Sequence, residues 1–135
     1  MDPVLPDYGG ACVTGLAPAL VGAQPVDWLP DPVAGAEAVV LLVLDGLGWE
    51  AIATHADDMP TLRSLEGRAI TTVVPSTTAS ALTSIATGLA PSQHGLVGYR
   101  MRVDGSVLNV LPWRTDKGKG PDPFLVQRHD AFLGR

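Results

Sequence analysis

Ala38-Val39-Val40-Leu41-Leu42-Val43-Leu44 is an unbroken aliphatic run that stops abruptly at Asp45-Gly46-Leu47-Gly48. A run with no polar alternation has no face to offer to water. It predicts a central parallel strand covered on both sides, because half-buried strands alternate instead. The glycines after it predict a tight loop, which leaves Asp45 at the carboxyl end of the strand.

The segments that follow fix the expected fold class. Trp49–His55 predicts a short helix, and Met59–Leu65 a second one with Pro60 in its first turn, where proline needs no N–H donor. Ala69–Val74 is rich in β-branched residues and predicts another strand, turned by Pro75-Ser76-Thr77. Thr78–Thr87 places small and aliphatic residues at helical spacing, with Gly88 as its stop signal. Strand, helix, strand, helix is a βαβα order, which predicts an α/β fold with a doubly wound, mainly parallel sheet. Ligands in such sheets sit at the carboxyl ends of strands, where both Asp45 and Thr78 would fall.

The ends of the chain read differently. Residues 1–37 form a Pro/Gly/Ala-rich leading segment, with one short helix expected near Thr14–Val21. Residues 38–111 hold the ordered elements, including a strand or hairpin around Asp104-Gly105. Residues 112–135 are a loop-rich tail.

Composition removes several function classes. The net charge is −5 over 135 residues, and no basic cluster stands out in the sequence, so neither nucleic acid nor an anionic membrane is expected as a partner. Cys12 is the one cysteine, which rules out an intrachain disulfide and a cysteine metal cluster. The aliphatic run is too short to span a bilayer, and the N-terminus lacks the basic start of a signal peptide, so a cytoplasmic location is expected.

Two positions carry candidate chemistry. A carboxylate at a strand end, such as Asp45, loses solvation unless a cation meets it, and a divalent metal would do so. The competing reading is an aspartate that only stabilises the Gly46–Trp49 turn. Thr78 begins a predicted helix, where a hydroxyl can cap first-turn N–H groups. The same place suits a nucleophile, because those N–H groups and the helix dipole attract a phosphoryl group. Ser76 and Thr77 compete for either role on local sequence alone.

Four ordered blocks add a resemblance. They are Val43-Leu44-Asp45-Gly46-Leu47-Gly48, Met59-Pro60-Thr61-Leu62, Val74-Pro75-Ser76-Thr77-Thr78, and Thr87-Gly88-Leu89-Ala90-Pro91-Ser92-Gln93-His94-Gly95. In this order they resemble the N-terminal part of the type I phosphodiesterase/nucleotide pyrophosphatase family, within the alkaline phosphatase superfamily. The resemblance runs from about Val39 to Met101. It implies an alkaline phosphatase-like sheet, Asp45 as a metal ligand, and Thr78 as the nucleophile and a second metal contact. It also implies two divalent metal ions, zinc by preference, and a phosphate ester or nucleotide-like substrate. The register that selects Thr78 over Ser76 and Thr77 comes from counting back from Thr87-Gly88.

The chain departs from that pattern in two ways. Ala79-Ser80-Ala81-Leu82 stands where the family has Phe-Pro-Asn-His after its threonine, so Ala81 replaces the phosphoryl-holding asparagine. No Asp-x-x-x-His and no Asp-His occurs after Gly98. The expectation is therefore the front half of a phosphoryl-transfer site, inactive by itself. A non-catalytic α/β binding module is the alternative, as is another hydrolase or phosphomutase branch of the superfamily. A sulfatase would carry Cys-x-Pro-x-Arg, which is absent. His94 reads as a structural histidine held by hydrogen bonds after the long helix.

Overall fold

In a computed structural model, residues 4–22 and 26–134 are described, and these form two compact units. One unit comprises residues 1–24 and 71–135, and the other residues 25–70. Within the expected Pro/Gly/Ala-rich leading segment, residues 1–37, positions 1–3 and 23–25 lie outside the described residues.

A 3-10 turn at Val13–Gly15 leads into helix α1, Leu16–Val21, close to the expected Thr14–Val21. In the 25–70 unit, α2 spans Asp31–Ala34, α3 Trp49–Thr54 and α4 Pro60–Arg63. The expected helices at 49–55 and 59–65 thus form in shortened versions, and Pro60 does occupy the first turn of α4. The first unit resumes with α5, Thr78–Thr87, the longest helix among the described residues. Its end is fixed by Gly88 in the left-handed region at φ 74°, with the Gly88 N–H donating to Ser84 O. A Cβ at Gly88 would lie 2.8 Å from Pro18 Cγ, so backbone conformation and packing both demand glycine. α6, Pro91–His94, follows at once.

The sheet corrects the fold-class expectation. It has four antiparallel strands in the order β1-β2-β3-β4. These are Arg100–Val103, Ser106–Asn109, Arg114–Thr115 and Gly118–Lys119. No doubly wound, mainly parallel sheet of the alkaline phosphatase-like type is present among the described residues. Residues 38–43 make no backbone hydrogen bond there, and Val40 and Leu42 are 93% and 75% exposed. The Ala69–Val74 strand shrinks to one parallel bridge, Cys12 with Thr71. In that bridge, Thr71 N–H donates to Ala11 O and Thr71 O accepts from the Val13 N–H.

Connectivity explains why one pattern forms and the other does not. A parallel pair needs a long crossover, whereas an antiparallel pair needs only a tight turn between neighbours in sequence. Asp104 and Gly105 supply that turn with φ 46° and 72°, both positive as a two-residue hairpin requires. The inner face of the resulting sheet supplies Leu108, with Val110 beyond β2, and together they pack with Ala79 of α5 and with Leu96. Met101, Val103 and Trp113 close the edge of this core. Leu108 and Val110 thus reach α5 at Ala79, the residue after Thr78.

Candidate functional site

α5 is held by small side chains. Ala79, Ser80, Ser84, Ile85 and Thr87 are its buried residues, so neighbours approach its backbone closely. Ser80 and Ser84 are fully buried hydroxyls, and such groups need partners. Ser80 Oγ lies 3.1 Å from Thr77 Oγ1. Ser84 Oγ lies 2.9 Å from His94 Nε2. The Leu96 N–H donates to His94 Nδ1 at 3.1 Å, so Nδ1 is an acceptor and the neutral ring carries its proton on Nε2. Nε2–H then donates to Ser84 Oγ.

His94 is 2% exposed. Burial is the main cause that pushes its pKa below 6.5, with His129 adding repulsion and backbone hydrogen bonding opposing both. A ring that is buried, neutral and bonded at both nitrogens is a strut between α5 and α6, in line with the structural reading of His94. Its hydroxyl partner was missed from sequence. The signal available was the four-residue spacing of Ser80 and Ser84, which puts both on one helical face.

The N-terminus of α5 is the chemically open part. Thr77 occupies the N-cap position but makes no side-chain cap hydrogen bond; its hydroxyl is engaged by Ser80 instead. Thr78 is the first helical residue, half-buried, and its hydroxyl has no hydrogen-bond partner among the described residues. The first intrahelical bond runs from the Ala81 N–H to Thr77 O. The N–H groups of Thr78, Ala79 and Ser80 therefore have no acceptor among the described residues. Capping thus occupies none of the three hydroxyls. Ser76 is exposed and stands before the N-cap, beside the cis Val74–Pro75 peptide.

Asp45 belongs to the 25–70 unit. It sits in a turn closed by the Leu47 N–H donating to Leu44 O at 3.1 Å, with Gly46 at φ 82°. Its side chain is exposed and has no hydrogen bond or ion pair among the described residues, so it does not stabilise the turn through its carboxylate.

The described residues supply only part of the donor set that the implied metal centre needs. Among the described residues no group of three or more His, Cys, Asp or Glu side chains could hold a metal ion. Zinc takes about four ligands, and Asp45 with Thr78 would supply two at most. No helix among the described residues is long and apolar enough to cross a membrane.

No curated protein and no solved structure matches the chain. A family model does, and it covers the aliphatic run from Val39 onward, the Asp45 turn, all of α5 and α6, and the sheet. The model is that of the type I phosphodiesterase / nucleotide pyrophosphatase family, it matches residues 39–131 of the 135, and the chain belongs to that family.

Proposed function

We propose that this chain carries the nucleophile of a phosphoric ester hydrolase, with Thr78 attacking phosphorus. One observation supports this above the others. Ala79 and Ser80 are buried, yet their N–H groups and that of Thr78 have no acceptor among the described residues. Buried, unpaired backbone donors are rare, and a helix N-terminus in that state favours an anion. A phosphoryl group placed there would meet the Thr78 hydroxyl. Attack forms an Oγ1–P bond, breaks the bond from phosphorus to the leaving oxygen, and passes the hydroxyl proton through solvent to the leaving group. Substrates are nucleotide-like or other phosphodiesters, in keeping with the family.

Asp45 is proposed as this chain's carboxylate donor to a divalent cation, zinc by preference. Because the donor set stops short of a full site, the chain alone is expected to react once and not to turn over. The test is bis-p-nitrophenyl phosphate in zinc-containing buffer, read by p-nitrophenolate release and by the mass of the peptide holding Thr78. The expected result is at most one equivalent released, with the added phosphoryl mass on that peptide. Thr78→Ala should abolish both signals, while Ser76→Ala and Thr77→Ala should keep them. Equal labelling of Thr78→Ala would overturn the assignment, as would no labelling of any form.

A further inference from the structure

The net charge of −5 conceals a strong segregation. Residues 25–70 hold eight acidic side chains against two basic ones, while residues 100–119 hold five basic against two acidic. Charges separated by more than about 8–10 Å are screened from each other at physiological salt, so the local balance decides what a surface attracts.

The sheet register collects four of these five cations on one face, with Asp116 at its end accepting from the Val107 N–H, while Lys117 donates to Gly105 O instead. Arg100 pairs with Asn109, Asn109 with Arg114, and Arg114 with Lys119. Directly opposed residues share a face, so these four form a row across all four strands. Arg102 stands on the same face two residues along β1, opposite Val107. The other face is the apolar one that carries Met101 and Leu108. Neighbouring strands lie about 4.8 Å apart, so the row is about 14 Å long at the Cα level.

Arg100, Arg102, Arg114 and Lys119 are all exposed, and none has a side-chain hydrogen bond or an ion pair among the described residues. Arg114 and Lys119 are a directly opposed like-charge pair, an arrangement that destabilises a sheet. Arg100 and Arg102 add the same repulsion along one strand. A bound polyanion would relieve it.

We propose that the outer face of this sheet binds the phosphodiester backbone of a single-stranded nucleic acid. The chemistry of the face selects this occupant. Guanidinium groups match phosphate in a two-pronged geometry. The row is narrow and crosses the strands, which suits one backbone. Val107 is the one aliphatic side chain among the cations, so the face lacks the buried apolar anchor on which an acidic peptide would depend. Backbone binding needs no such anchor, because counterion release drives it. The face is opposite to the one packed on α5, so this inference stands apart from the Thr78 reading.

The experiment is fluorescence anisotropy of a labelled twenty-nucleotide oligothymidylate with the full chain, at low and raised salt. Neutralising four phosphates on a single strand predicts a slope of about −2.8 in log K against log salt. The triple variant Arg100→Gln, Arg114→Gln, Lys119→Gln should bind at least tenfold more weakly with a shallower slope. Its circular dichroism melt should match that of the parent, since the three side chains make no hydrogen bond or ion pair among the described residues. The single variants Arg100→Gln and Arg114→Gln provide the same reading in smaller steps if the triple does not fold. Arg68→Gln, an exposed cation of the other unit, should bind as the parent does. No binding by the parent would overturn the proposal, and so would an equal loss in Arg68→Gln. Tighter binding to poly-glutamate or phosphatidylserine vesicles, with the same sensitivity to the triple variant, would overturn the choice of occupant.

Discussion

His94 shows how much one side chain can fix. It joins α6 to α5 through Ser84, and it takes the Leu96 N–H on its other nitrogen. Its pKa in the folded chain is lowered, chiefly by burial, so the folded state resists protonation. Above about pH 6.5 the ring is neutral in both folded and unfolded chains, and it adds no pH dependence. Below that value the unfolded chain takes up a proton that the folded chain does not. Stability should therefore fall as pH drops from 6.5 toward the lowered folded value, and His94→Gln should flatten that part of the profile. Urea melts at stepped pH would show it, and an unchanged slope in His94→Gln would sink the assignment. Ser84→Ala leaves the Nε2–H without its partner in a buried site. It should lower stability by about 1–3 kcal/mol at about pH 8, where the charge plays no part.

At the scale of elements, α5 and the aliphatic run make an instructive contrast. α5 forms over the residues that periodicity marks, Thr78–Thr87, because a helix satisfies its hydrogen bonds within itself. The run at Ala38–Leu44 has the composition of a strand but does not form one, because a strand needs neighbours to complete its ladder. Residues 38–43 should consequently exchange their amide hydrogens orders of magnitude faster than residues 82–88, whose N–H groups are bonded within or at the end of α5. Hydrogen exchange resolved by peptide mass spectrometry measures this, and comparable protection would show that the run is paired in solution. The hairpin at Arg100–Asn109 sits between these cases. The Asp104-Gly105 signal was readable because a two-residue turn is a local event. The two short strands at 114–115 and 118–119 were not readable, since Pro, Gly and Lys there suggest only loop.

At the scale of the whole molecule, the apolar core is concentrated in one unit. Cys12, Ala17, Val73, Ala79, Ile85, Leu96, Leu108 and Val110 all belong to it, whereas Trp28 is the one buried hydrophobic residue among those described in 25–70. Cooperative unfolding depends on shared burial, so the units should not melt together. The variant Trp28→Phe, Trp49→Phe reports through Trp113, and Trp113→Phe reports on the other unit. The expected outcome is an earlier urea midpoint for the 25–70 reporters. Coincident midpoints would show one cooperative body.

The sequence by itself determined the family, the bounds of α5, the Gly88 stop and the structural part played by His94. Each of these rests on local chemistry or on a word order that survives without coordinates. Tertiary structure decided what depends on distant partners. It replaced the expected parallel sheet with an antiparallel one, because the hairpin closes over a few residues and the aliphatic run has no paired neighbour among the described residues. It diverted the Thr77 hydroxyl to Ser80 and left that of Thr78 without a partner among the described residues, a distinction the Ser76-Thr77-Thr78 string does not contain. It also put Arg100, Arg114 and Lys119 in one row, although they stand well apart along the chain. Net charge averages over the whole chain, whereas a ligand meets only the face that the strand register builds.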